Sequence, residues 1–145
     1  MSETPQDPLA LARACAERMW AEDEASRALG MEIVEIGLGR AVLTMRVRSE
    51  MTNGHKTAHG GYVFTLADSA FAFACNGTDQ RTVAQSCAIT YIAPAREGDL
   101  LRAEAVEVHR AGRSGVYDVR VTNQDDALVA LFRGHARTVK GRILE

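Results

Sequence analysis

One acid stands alone in the most apolar stretch of this chain. The segment YVFTLADSAFAFACN, residues 62–76, carries a single charge, Asp68, near its middle. A carboxylate buried without a partner is costly, or else its pKa rises. An acid placed this way can take a proton from water or attack an acyl carbon itself. Thr65 three positions before it, Ser69 next to it and Ala72 four after it make a small polar stripe with no cation. The structural alternative is that Asp68 caps or hydrogen-bonds a neighbouring element, since structural networks also perturb carboxylates.

Just upstream lies NGHKTAHGG, residues 53–61, in which His59, Gly60 and Gly61 close a loop where the helix begins. Glycines leave backbone N–H groups open to a ligand, and a helix N-terminus favours developing negative charge. Those are the requirements of an oxyanion hole. The same two glycines also suit a tight loop-to-helix turn with no ligand at all. Eight residues separate Gly60 from Asp68, roughly 12 Å along a helix. A reacting carbonyl needs both groups within about 3 Å of its atoms. Two copies lying antiparallel about a two-fold axis meet both demands, Asp68 of one facing the Gly60 turn of the other. The expectation is a composite site at a dimer interface, two per dimer.

The elements that position these residues follow from periodicity. Leu9, Ala12, Cys15, Ala16, Met19 and Trp20 recur at helical spacing, predicting an amphipathic helix from Leu9 to about Leu29 that stops near Gly30. Strands are predicted over residues 31–38 and 40–48. Ala41, Leu43, Met45 and Val47 alternate there with Thr44, Arg46 and Arg48. After the apolar helix come four more strands, near 82–92, 99–110, 115–122 and 127–139, with APAREGD, AGRSG and NQDD as turns. An antiparallel sheet that curls around one apolar helix is an α+β arrangement, and its open edges invite an oligomer.

Length and composition narrow the function. The 145 residues suit one domain, with 1–8 as a tail. A net charge of −2 offers no footprint for nucleic acid or an anionic membrane. The start MSETPQDP is polar and acidic, unlike a secretory leader, and Cys15, Cys75 and Cys87 read as reduced thiols of a cytoplasmic protein.

The stretches NGHKTAHGGYVFTLADSAFAFACN, APAREGD and GVYDVRVTNQDDALVALFRG resemble the phenylacetate-pathway branch of the hotdog acyl-CoA thioesterases, over roughly residues 31–139. The resemblance implies a hotdog fold, the sheet wrapped around a central helix at about 62–76. It also implies dimers, often paired into tetramers, and hydrolysis of acyl-CoA thioesters with no metal and no cofactor beyond the CoA of the substrate. By position, Asp68 would be the catalytic carboxylate and the Gly60 amide would hold the thioester oxygen. Asn53 would hydrogen-bond Asp68 or the attacking water, and His59 would sit beside the thioester, with Gly61 next to it at the substrate. Some relatives place a hydroxyl early in the following strand, where Gln85 and Ser86 are the nearest candidates. The phosphates of CoA call for basic residues at the pocket mouth. Arg96, Arg110, Arg113 and Arg133 qualify, with Arg113 and Ser114 first among the candidates. Met51, Phe64 and Tyr91 could line the acyl pocket or serve as plain core.

Competing readings make their own demands. His55 and His59 have a zinc-like spacing, but in a loop where helical geometry does not bring them together. Cys75 and Cys87 lack an adjacent histidine for nucleophilic work. A hotdog dehydratase or hydratase would pair histidine and acid differently, and a non-catalytic acyl-CoA-binding module would need no buried acid.

Overall fold

The computed structural model describes residues 3–145. Helix α1 (Pro8–Glu22) opens with the Asp7 side chain accepting the Ala10 N–H at 2.9 Å, so the expected tail contains the helix cap and Pro8, the first helical residue. The α1 face that carries Ala12, Cys15 and Ala16 is buried. The single helix expected over Leu9–Leu29 is in fact two. Asp23 ends α1 and caps α2 (Glu24–Ala28) by accepting the Ser26 N–H at 2.9 Å. Its short carboxylate competes with the helical backbone for donors, which a periodicity of apolar residues does not reveal.

Strands β1 (Glu32–Gly37) and β2 (Arg40–Arg46) follow, then a single 3-10 turn (Ser49–Met51) and the loop to α3 (Gly60–Cys75). The last four strands are β3 (Thr82–Tyr91), β4 (Leu100–Ala111), β5 (Ser114–Thr122) and β6 (Leu128–Thr138). All pairings are antiparallel, in the order β1-β2-β4-β5-β6-β3. The sheet wraps α3, which packs chiefly on β2, β4 and β5. This is the α+β arrangement that the resemblance implied.

Alternation fixes which side chains meet the helix. In β5, Tyr117, Val119 and Val121 are buried while Asp118, Arg120 and Thr122 are not. Ala130, Phe132, Gly134 and Ala136 do the same in β6. Phe71 of α3 sits at the centre, its ring 5.6 Å from that of Tyr117 and 5.8 Å from that of Phe132. Full burial of such a ring contributes roughly 1.5–3 kcal/mol. The ring fills a notch in the sheet at Gly134, where an added Cβ would stand only 2.7 Å from two of its carbons.

Beyond α3 the chain turns at Asp79, which takes the left-handed conformation (φ 60°). Burial pushes its carboxyl up, but hydrogen bonds from Leu144 N–H and Arg142, together with the Arg142 charge, outweigh burial and hold it below the ordinary value. Arg142 also donates to Thr4 Oγ1 and Arg18 to the Glu145 carbonyl, so the two ends of the described chain are tied together.

Candidate active site

Helix α3 begins at the two glycines, with His59 as its cap residue and no side chain over its end. The first N–H groups of any helix lack intrahelical partners. Those of Gly60 and Gly61 have no hydrogen-bond acceptor among the described residues. The loop before them is tightly held: His59 N–H donates to the Met51 carbonyl at 2.8 Å, and Ala58 N–H to that of Ala95 at 2.7 Å.

Asn53 belongs to that restraint. Its Oδ1 accepts from His55 N–H, Thr57 N–H and the Thr57 hydroxyl. In one protomer it therefore shapes the loop and makes no hydrogen bond to Asp68, while its Nδ2 donors have no partner among the described residues. The exposed His59 imidazole stands at the mouth of the helix end, and His55 points into solvent from the loop.

Asp68 lies two turns further along α3, half-buried, with no cation or hydrogen-bond donor on its carboxylate among the described residues. Burial pushes its pKa above the ordinary carboxylate value. Its polar neighbours are all engaged elsewhere. Thr65 donates to the Gly61 carbonyl at 2.8 Å. Ser26 gives its one hydroxyl hydrogen to Asp23, so Ser69, 2.8 Å away, donates to Ser26. The stripe beside Asp68 is thus structural, and the acid alone is left without a structural partner. It caps nothing.

Strand β3 runs antiparallel beside α3 with both ends pinned to it. The Asn76 side chain holds the backbone of Thr82, and the Tyr91 hydroxyl donates to the Gly60 carbonyl at 2.8 Å. The middle of the strand, Gln85 to Cys87, therefore stands level with Asp68. Cys87 confirms the proximity, since its thiol is pushed up first by burial and then by the Asp68 charge. Gln85 falls at a β-bulge between Ala84 and Ser86, and Gln85 and Ser86 are both exposed on the edge strand.

Arg113 and Ser114 lie in the β4–β5 turn, at the opposite end of α3 from Gly60. Arg110 in the same hairpin bonds Thr78 and Gln80, just past the C-terminal end of α3. A 16-residue helix spans about 24 Å, so one protomer separates these residues from the glycines. Arg113 has no side-chain partner among the described residues.

The remaining candidates separate by their surroundings. Arg133 borders a hollow on the outer face of the sheet, but it is committed there to Asp118 in a two-pronged pair at 2.6 and 2.8 Å and is not a free cation. Met51 is fully buried and takes the plain-core alternative. Phe64 stacks edge-on against Phe132 at 5.4 Å. Tyr91, for which the sequence leaves pocket and core both open, is half exposed, and its hydrogen bond across 31 positions has no local sequence signal. It borders an apolar hollow of about 440 Å³ with Ala58, Gly60, Val63, Ile92, Pro94 and Val129. The Cys75 thiol is pushed up to about 12 by burial, opposite to the lowered value a cysteine nucleophile needs. No helix among the described residues is long and apolar enough to cross a membrane.

Against known proteins, the Thioesterase superfamily profile matches residues 55–130. The acyl-coenzyme A thioesterase PaaI of Escherichia coli K12 is 43% identical over 128 residues, 88% of this chain and 91% of that protein. The solved structure of E. coli PaaI, from the phenylacetic acid degradation operon, superposes with a TM-score of 0.92 at 40% identity, covering 94% of this chain and 99% of that one. A Streptococcus mutans protein solved bound to acetyl CoA gives a TM-score of 0.74 at 29% identity, over 77% of this chain and 90% of that one.

Proposed function

This chain belongs to the thioesterase superfamily as a PaaI-type acyl-CoA thioesterase of the hotdog fold, and from that membership we propose that it hydrolyses aryl-acetyl-CoA thioesters at a site shared by two copies. The observation that carries the assignment of roles is the half-buried Asp68, without a partner among the described residues, on a helix whose first two amides are likewise unpartnered among them.

In the shared site, the Gly60 N–H of one copy holds the thioester oxygen and Asp68 of the other copy faces the carbonyl carbon. Asp68 takes a proton from water as the water oxygen bonds to that carbon, and the carbonyl electron pair moves onto oxygen. Collapse of the tetrahedral intermediate breaks the C–S bond. The proton on Asp68 passes to the departing thiolate, leaving free acid and CoA. The same carboxylate could attack the carbon directly, with water then opening a mixed anhydride. Asn53 Nδ2 and His59 flank the thioester, and Gln85 and Ser86 border it from β3. The antiparallel pairing brings Arg113 and Ser114 of one copy toward the glycine end of the other, where they meet the CoA phosphates.

Two features support the dimer. Among the described residues, strand β3 is an edge strand with one side unpaired, and it carries exposed Val83 and Tyr91. Pairing two such edges continues the sheet and lays the two α3 helices side by side. Dimers pair further into tetramers over the outer-face hollow of about 480 Å³ that contains Ala88, Val106 and Leu131. The aryl-acetyl preference rests on the operon of the E. coli relative, and acyl-CoA binding on the relative solved with acetyl CoA.

Release of thiol from a panel of acyl-CoA thioesters by wild type and Asp68→Asn tests the reading. The wild type should turn over aryl-acetyl substrates, and the variant should stay assembled while losing at least about a hundredfold in rate. A folded variant with full activity removes Asp68 from the chemistry. A wild type that releases no thiol brings the dehydratase or binding readings forward.

A further inference from the structure

The Gly60–Gly61 peptide has a partner that the reaction scheme above does not use. Its two polar groups, the Gly60 carbonyl and the Gly61 N–H, lie on opposite edges of one planar trans unit, so fixing one aims the other. The Tyr91 hydroxyl donates to that carbonyl at 2.8 Å. The ring leaves no freedom behind it: a Cβ on Gly60 would stand 2.8 Å from Tyr91 Cζ and Oη and 3.1 Å from Cε1. The preceding peptide is held in the same sense, its His59 carbonyl accepting Tyr62 N–H at 3.0 Å. Two successive peptides are therefore gripped by their carbonyls, and their N–H ends are the ones without partners among the described residues.

We propose that Tyr91 is a positioning residue, whose hydroxyl orients and polarises the Gly60–Gly61 peptide so that Gly61 N–H is a second donor to the thioester oxygen beside Gly60 N–H. The proposal rests on the thioesterase reading above. A hydrogen bond to a carbonyl strengthens the donor at the other edge of the same amide, through the cooperativity of hydrogen-bond chains. A fixed donor costs no reorganisation as charge develops on the oxygen, so the benefit appears in the transition state and not in substrate binding. Gly61 thus does more than loosen a turn, and the glycine pair works as two aimed amides held from the far end of β3.

The test is Tyr91→Phe in the full-length oligomer, which keeps the ring on Gly60 and removes only the donor. With the acyl-CoA that wild type hydrolyses best, kcat should fall about fivefold, the effect of one neutral hydrogen bond, with KM changed less than about twofold. Thermal melting should stay close to wild type. With glycine-selective ¹⁵N labelling, the Gly61 amide proton should move upfield as its peptide loses polarisation. Para-aminophenylalanine at position 91 restores a donor and should recover most of kcat. An unchanged kcat, or one that falls only together with melting temperature and subunit assembly, overturns the proposal. If the wild type proves inactive on every thioester, the functional reading is what fails. The Gly61 resonance then judges the positioning role alone, and an unmoved resonance rejects it.

Discussion

Three aspartates show how little residue type says without surroundings. Asp118, against Arg133, and Asp79, against Arg142 and the Leu144 amide, are held below the ordinary carboxylate value. Asp68, with burial and no partner, is held above it. The sign of that shift has two consequences. In the role proposed for it Asp68 acts ionised, so kcat/KM should rise with pH on a limb centred above the ordinary 3.8 and level off beyond it. The unfolded chain releases this proton first, so Asp68 lowers stability as pH climbs from the ordinary value through the raised one. Asp68→Asn should therefore melt no lower than wild type at neutral pH while losing the acid limb. A pH–rate profile beside melting curves of both proteins checks this, and a limb centred at or below 3.8 would deny that burial governs the group. The acid itself was legible in the sequence because one charge in an all-apolar helix breaks a rule. The Tyr91 contact was not, since nothing local ties a strand end to a glycine 31 residues earlier.

At the scale of elements, the registry between α3 and the sheet places the carboxylate. Phe71 lies one turn from Asp68 and seats in the notch at Gly134. Gly134→Ala should push that ring, and the helix with it, away from the sheet. The expected result is a stability loss of about 1–3 kcal/mol from overpacking. A fall in kcat on the order of tenfold should accompany it, because small misplacements of reacting groups are expensive. Melting and steady-state kinetics on the one variant measure both, and an unaffected kcat would show that Asp68 is positioned independently of this contact. The alternation of β5 was readable because one face is buried, and α3 because nearly every position in it is apolar. The α1–α2 break at Asp23 was not, because capping overrides a pattern that apolar residues alone would continue. The helix start at Gly60 was missed by two residues, glycines being weak markers of a first turn.

For the whole molecule, a site built from two copies predicts complementation. Asp68→Asn and Gly60→Ala should each be nearly inactive as homodimers. A mixed dimer has one site with both residues intact, so unfolding and refolding an equal mixture should restore about a quarter of wild-type activity. No recovery, with mixed dimers shown to form, would place each site within one chain. The proposal of a partner comes from the roughly 12 Å of helix between Gly60 and Asp68, whereas the sequence does not show that β3 lies at the sheet edge. Alternation tells inside from outside and says nothing about which strand is left at an edge. That strand order also has a consequence in time. Although β3 precedes β4 and β5 in the chain, among the described residues its only strand partner is β6, with Thr82 opposite Thr138 and Tyr91 opposite Ala130. A ribosome delivers β3 long before it delivers β6, so the strand that flanks the carboxylate waits with both edges bare while two hairpin strands fold ahead of it. The interval in which this chain is most exposed to wrong partners is set by its topology, and it closes only as the final strand emerges.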